Sequence, residues 1–152
     1  KDLLERTNHG LPKIFSYAQN AEKESRLNTP PVFTIYMMGL VFKWIKEQGG
    51  VAELEARNKE KAAIIYDAID GSDGFWLAHA DHDSRSMMNI PFRTSDPEMD
   101  KRFIAEAQER GMSTLKGHRS VGGMRASIYN AFPRSGCEAL AELMKDFAAR
   151  NG

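Results

Sequence analysis

The stretch Lys116-Gly117-His118-Arg119-Ser120-Val121-Gly122-Gly123-Met124-Arg125 sets three cations, one histidine and three glycines in ten residues. Glycines let backbone N–H groups come close to an anion. Arginine offers a planar fork that matches carboxylate or phosphate oxygens in pairs. The residues that follow, Arg125 to Asn130, alternate in the manner of a strand. A glycine-hinged cationic loop that feeds a strand reads as a site for a small, doubly anionic ligand. His118 donates from both ring nitrogens when protonated, a state an anion favours. Arg119 adjoins it, and Arg125, beyond Gly122-Gly123, is placed for a second anionic group. On composition alone, a surface turn with solvated cations stands level with that reading.

Working outward from the loop, Ser113 to Lys116 reads as a short strand leading into it. Upstream, Ser95-Asp96-Pro97-Glu98 is a helix start, with a capping candidate, proline in the first turn and an acid after it. Met99, Phe103, Ile104 and Ala107 give that helix its apolar face, and Gly111 ends it. Downstream, Ser135-Gly136 opens a last helix through about Ala149, with Leu140, Leu143, Met144 and Phe147 inward. Phe75-Trp76-Leu77 and Met87 to Phe92 read as strands, the second near an edge because it contains Pro91.

A helix from Val51 to Ile69 carries Val51, Leu54, Ala62, Ile65 and Ile69 on its apolar side. Its outer face holds Glu53, Glu55, Arg57, Lys59, Glu60 and Lys61, and Gly71-Ser72-Asp73-Gly74 ends it. Before it, Ile35, Met38, Phe42 and Ile45 recur at helical steps from Pro31 to the stop at Gly49-Gly50. Tyr36, Leu40 and Trp44 widen that stripe, so the helix is expected to bridge two packed bodies. Phe33, Tyr36, Phe42, Trp44 and Tyr129 read as core. The order of elements gives an α+β fold with helices packed on one face of a small sheet.

Lys+Arg and Asp+Glu both number 21 among 152 residues. A zero balance argues against binding nucleic acid through a basic face. No apolar run approaches the ~20 residues of a membrane span, and the start of the chain is charged from Lys1 onward. A lone cysteine, Cys137, excludes an internal disulfide framework and suits a reducing cytoplasm. It has no histidine neighbour, which favours burial over nucleophilic work. His79-Ala80-Asp81-His82-Asp83 has ligand-type residues without a completing cluster, so a solvated loop is favoured over a metal centre. His9 has no catalytic partner nearby. Asn28-Thr29-Pro30-Pro31 reads first as a helix-entry turn with a capping residue.

Three stretches, in order and spacing, resemble the C-terminal part of the bacterial phosphoserine aminotransferase family. They are Asn28-Thr29-Pro30-Pro31 with Gly39-Leu40-Val41-Phe42-Lys43-Trp44; Arg85-Ser86-Met87-Met88-Asn89-Ile90-Pro91-Phe92; and Lys116 through Asn130. The resemblance implies a fold-type I enzyme that uses pyridoxal 5′-phosphate and works as a homodimer. Its substrates would be O-phosphoserine, glutamate and 2-oxoglutarate, in serine biosynthesis, with a phosphorylated hydroxythreonine in vitamin B6 synthesis. Matched residue by residue, His118 and Arg119 correspond to a pair that holds the substrate phosphate, and Arg125 to the arginine on the α-carboxylate. Asn28 and Thr29 correspond to a pair that reaches the cofactor phosphate of the neighbouring subunit. The resemblance begins just after the family's Schiff-base lysine, so no catalytic residue is expected in this chain, and by itself it is expected to be inactive. The expected organisation is a large-domain tail and linker over residues 1–33, a connecting helix over 34–49, and a small C-terminal domain over 50–152. The alternative is a non-enzymatic module that only dimerises or binds phosphate.

Overall fold

The computed structural model describes Leu4, Arg6 and residues 10–152. His9 lies outside the described residues. The chain divides into two units, Lys1–Glu47 and Gln48–Gly152.

In the first unit a single 3₁₀ turn, Lys13–Phe15, leads to helix α1, Tyr17–Glu22. Ser16 caps α1 through its Oγ, which accepts from Gln19 N at 3.3 Å. Pro30-Pro31 then precedes helix α2, Val32–Glu47, because proline fixes φ yet is tolerated at a helix entrance. The helical period is as expected, but the burial is not. No residue of α2 is buried, and Phe33, Tyr36 and Phe42 are 75%, 62% and 59% exposed. These aromatics and the half-buried Trp44 are therefore not core. Apolar side chains run around the whole helix.

The second unit runs α3 (Val51–Asp70), β1 (Leu77–Ala78), β2 (Asn89–Arg93), α4 (Pro97–Glu109), β3 (Met124–Ser127) and α5 (Arg134–Asn151). The strands form one antiparallel sheet in the order β1-β2-β3, with Asn89 opposite Ser127 and Pro91 opposite Arg125. Alternation puts Ile90, Phe92, Met124 and Ala126 on the core face. Against them lie Ile65 and Ile69 of α3, Phe103 and Ala107 of α4, and Leu140, Leu143, Met144 and Phe147 of α5. The three helices of this unit thus cover one face of the sheet. Trp76 sits at the centre, edge-on to Phe92 and Phe103, with its Nε1–H donating to Met144 O at 3.2 Å. Cys137 is fully buried, and burial pushes its thiol pKa up.

Several boundaries differ from the sequence reading, each for a local reason. Phe75-Trp76 is not strand, because the Ser72 hydroxyl accepts from Trp76 N–H and holds a turn that drops the indole into the core. Met87 and Met88 stay outside β2, since Ser86 Oγ takes the N–H groups of Met88 and Asn89. Ser113 to Lys116 shrinks to one bridge, Lys116 with Met124, after a left-handed Thr114 (φ 64°). The strand from Arg125 ends at Ser127, and α5 begins at Arg134, one residue before Ser135. Tyr129 is 55% exposed and Val51 74% exposed, so neither is core. Lys61 is the sharpest correction. Expected on the outer face of α3, it is only 4% exposed. It lies on the stripe Leu54, Asn58, Lys61, Ile65, Ala68, all buried, at alternating steps of four and three.

Candidate functional site

Strand β3 and the hairpin before it carry three of the five candidate residues. Gly117 N donates to Gly123 O at 2.8 Å, and Arg125 N donates to Leu115 O at 2.7 Å, which closes the loop at its base. Its tip is a tight turn in which Val121 N and Gly122 N both reach His118 O. Two glycines are obligatory by geometry. A Cβ on Gly117 would stand 2.0 Å from Gly122 O. Gly123 has φ +59°, and a Cβ there would lie 2.6 Å from Phe92 O.

His118 and Arg119 sit at that tip, exposed. The His118 Nδ1 accepts from Ser120 N at 3.3 Å and lies 2.7 Å from Ser120 Oγ. With Nδ1 turned to Ser120, Nε2 is left for a ligand. Arg119 makes no ion pair among the described residues, and neither does Lys116. This contrasts with Arg57, Arg85, Arg110, Arg134 and Arg150, each of which holds a carboxylate. Arg93, at the end of β2, adds a further cation next to Gly123. A hairpin that gathers cations and leaves them unneutralised attracts anions.

Arg125 points away from the core, on the open face of the sheet, and is half-buried. Its Nε is buried without a hydrogen-bond partner. A desolvated guanidinium N–H without an acceptor is costly, and an anionic ligand would relieve it. Arg125 and Ser127 also line a cleft of about 500 Å³ between Met112–Leu115 and the start of α5. A larger hollow of about 800 Å³, near Asp67, Trp76 and Lys145, holds none of the candidate residues.

The turn after β3 is held from below. Lys61 Nζ donates to Tyr129 O at 2.8 Å, with Phe132 O at 3.1 Å, Ile128 O at 3.2 Å and Asn130 O at 3.5 Å also in reach. Asn58 Nδ2 adds a bond of 2.7 Å to Asn130 Oδ1. Burial lowers the Lys61 pKa, opposed by the nearby Cys137. On the other side, Arg85 grips Asp70 with two bonds of 2.6 and 2.7 Å and lies 4.6 Å from the Tyr66 ring centroid. It fixes the loop that enters β2. That grip holds the Asp70 carboxyl below its usual pKa.

Asn28 and Thr29 belong to the first unit. Both are exposed, Asn28 in a bend and Thr29 just before Pro30, and neither side chain makes a hydrogen bond among the described residues. The segment does lead into α2, but neither side chain caps it, so their donors stay available. His82 and Asp83 fall in an exposed 3₁₀ turn, and among the described residues no group of His, Cys, Asp or Glu is arranged to hold a metal.

The sequence reading did not assign a role to Lys61, Arg93, Asn89 or Ser127. The signal for Lys61 was its place in the four–three stripe. For Asn89 and Ser127 it was strand alternation relative to Arg125.

The sequence profile of the aminotransferase class-V family matches residues 10–140. Phosphoserine aminotransferase of Geobacillus kaustophilus is 54% identical over 149 residues, covering 98% of this chain and 41% of its own length. That of Neisseria meningitidis serogroup B is 49% identical over 152 residues, covering the whole of this chain and 41% of its own length. Among solved structures, phosphoserine aminotransferase from Bacillus circulans subsp. alkalophilus superposes with a TM-score of 0.87 at 47% identity, over 99% of this chain and 42% of that one. The pyridoxal-phosphate-bound enzyme from Trichomonas vaginalis gives 0.79 at 41% identity, over 95% of this chain and 42% of that one. The chain therefore spans about two-fifths of the length of the relatives it matches.

Proposed function

The chain belongs to the class-V aminotransferase family, and on that premise we propose that it forms the C-terminal part of a phosphoserine aminotransferase. The reaction would interconvert O-phosphoserine and 2-oxoglutarate with 3-phosphohydroxypyruvate and glutamate. The observation that carries this reading is the Lys116–Arg125 hairpin, which sets unneutralised cations at its tip and an unpartnered guanidinium at its base. A phosphorylated amino acid presents two anionic groups, a phosphate and an α-carboxylate. In this reading His118 Nε2 and Arg119 hold the phosphate. Arg125 holds the carboxylate by its fork. Two anchors fix the α-carbon between them, and that positioning favours the phosphorylated substrate over an uncharged amino acid.

The donors of this chain suit pyridoxal 5′-phosphate. Asn28 and Thr29 have free amide and hydroxyl groups for its phosphate oxygens, reached from a neighbouring subunit of a homodimer. When bound, the cofactor supplies the electron sink for cleavage at the α-carbon. Residues 1–33 are assigned to the tail of the cofactor domain, 34–49 to a connecting helix and 50–152 to the small domain. The apolar circumference of α2 fits that connecting role. Lys61, the buried lysine, is engaged with four carbonyls and is not free to bind the cofactor. We assign the full enzyme to the cytoplasm and to serine synthesis, with a second substrate in vitamin B6 synthesis. Among the described residues, no helix is long and apolar enough to cross a membrane.

The test is amino transfer in the full-length enzyme loaded with cofactor. O-phosphoserine should convert 2-oxoglutarate to glutamate, and serine should do so at least a hundredfold less efficiently. Equal efficiency with the two donors would refute the phosphate assignment.

A further inference from the structure

Beside Arg125, on the open face of the sheet, Asn89, Ser127 and Tyr129 form a polar triad. The register sets Asn89 opposite Ser127 and Pro91 opposite Arg125. Asn89 is thus the diagonal neighbour of Arg125, at about 7–8 Å between Cα atoms and within reach of a shared ligand. The alternation that buries Ile90, Phe92, Met124 and Ala126 turns Asn89, Arg125 and Ser127 to the other side.

The Asn89 side chain is held there by two hydroxyls. Its Oδ1 accepts from Ser127 Oγ at 3.1 Å and from Tyr129 Oη at 3.3 Å. In this arrangement both hydroxyls donate to the same amide oxygen. The Nδ2 group is left with two N–H donors and, among the described residues, no acceptor. Its neighbour Arg125 has a buried Nε with no acceptor either. Two sets of unpartnered donors thus share one face of the strand pair. A carboxylate offers about four lone-pair sites, and an arginine fork takes two.

We infer that Asn89 is a further binding residue of this site: its Nδ2 donates to the carboxylate that Arg125 holds, with Ser127 and Tyr129 as positioning residues that keep the amide turned toward it. The inference rests on the reading of Arg125 as the carboxylate anchor. It also explains why Tyr129 is not core. The phenol stays at the surface because its hydroxyl reaches Asn89.

The experiment is titration calorimetry of 2-oxoglutarate into the full-length, cofactor-loaded enzyme without an amino donor, so that nothing turns over. Asn89→Ala removes the donor and should raise the dissociation constant about tenfold, the usual order for a hydrogen bond to a charged group. Asn89→Asp is the discriminating variant. It still accepts from Ser127 and Tyr129, so a loss of binding at an unchanged urea midpoint is not a loss of fold. As a donor lost and a negative charge gained, it should weaken binding at least a hundredfold, with an unchanged urea midpoint. Tyr129→Phe combined with Ser127→Ala frees the amide to turn and should cost a few-fold. An Asn89→Asp enzyme that binds within threefold of wild type, beside an Arg125→Ala enzyme that has lost binding, overturns this inference alone. Binding unchanged in both overturns the role of Arg125 with it.

Discussion

Replacing Lys61 by methionine isolates the contribution of one buried cation to the strand that carries Arg125. Methionine keeps an unbranched stem of similar length, so the packing of α3 is retained and the ammonium alone is removed. Three N–H donors are shared among four carbonyls at 2.8–3.5 Å. A hydrogen bond to a charged group contributes about 1.5–3 kcal/mol, which would give about 4.5–9 kcal/mol for three. Relief from burying an ammonium offsets several kcal/mol of that. The net loss expected is about 3 kcal/mol, a shift of about 2 M in the urea midpoint at an m-value near 1.5 kcal/mol/M. Fluorescence of Trp76, buried at the core, reports the transition. The sign with pH is fixed as well. Burial lowers the folded pKa of Lys61 below its ordinary 10.5. Between the two values the unfolded chain binds more protons, so stability rises with pH in that window. The stability difference between wild type and Lys61→Met should therefore grow toward pH 10.5. A loss under 1 kcal/mol would refute the account of Lys61 as the clasp of the 128–132 turn, and a difference that shrinks with rising pH would refute the lowered pKa.

Gly123→Ala forces a side chain into a left-handed position and against Phe92 O. It should cost about 2–4 kcal/mol by urea unfolding and weaken phosphorylated ligands, whereas an Ala variant at the open Gly74 should lose less than half as much. The Asp70 carboxyl is held low by Arg85, so its share of stability is present above its ordinary pKa and lost as pH falls through the depressed folded value. Asp70→Asn should accordingly flatten the acid limb of the stability profile; an unchanged limb would remove Asp70 from the account. Mixed with pyridoxal phosphate, this chain alone should form no glutamate from 2-oxoglutarate and O-phosphoserine, and no single lysine should be labelled in full after borohydride reduction.

The helices were legible because their periods and stops are local. Leu140, Leu143, Met144 and Phe147 declare a face at helical spacing, and Asp96-Pro97 declares a start that the structure bears out, with Asp96 Oδ1 accepting from Glu98 N. The short strands were less legible, because side chains of other types trimmed them: Ser72 at β1, Ser86 at β2 and Lys61 beyond β3. Burial was least legible. Aromatics at helical spacing on α2 predict a buried stripe, yet what covers a helix is a property of its surroundings and not of its own period. A lysine among charged neighbours predicts an outer face, yet Lys61 turns inward because four carbonyls need donors there. The candidate residues of the hairpin were legible from glycine and arginine chemistry. The role of Asn89 was not, since it depends on which strand lies beside β3 and in what register.

The central claim is that one hairpin holds two separate anions of a single substrate. It is tested most directly by comparing Arg119→Ala and Arg125→Ala in the full-length enzyme, with kcat/KM measured for O-phosphoserine and for glutamate. Loss of a charge-assisted pair corresponds to about 10–100-fold. Arg119→Ala should lose that much with O-phosphoserine and far less with glutamate. Arg125→Ala should lose it with both. Equal losses for both substrates in both variants would contradict the separation of the two clamps.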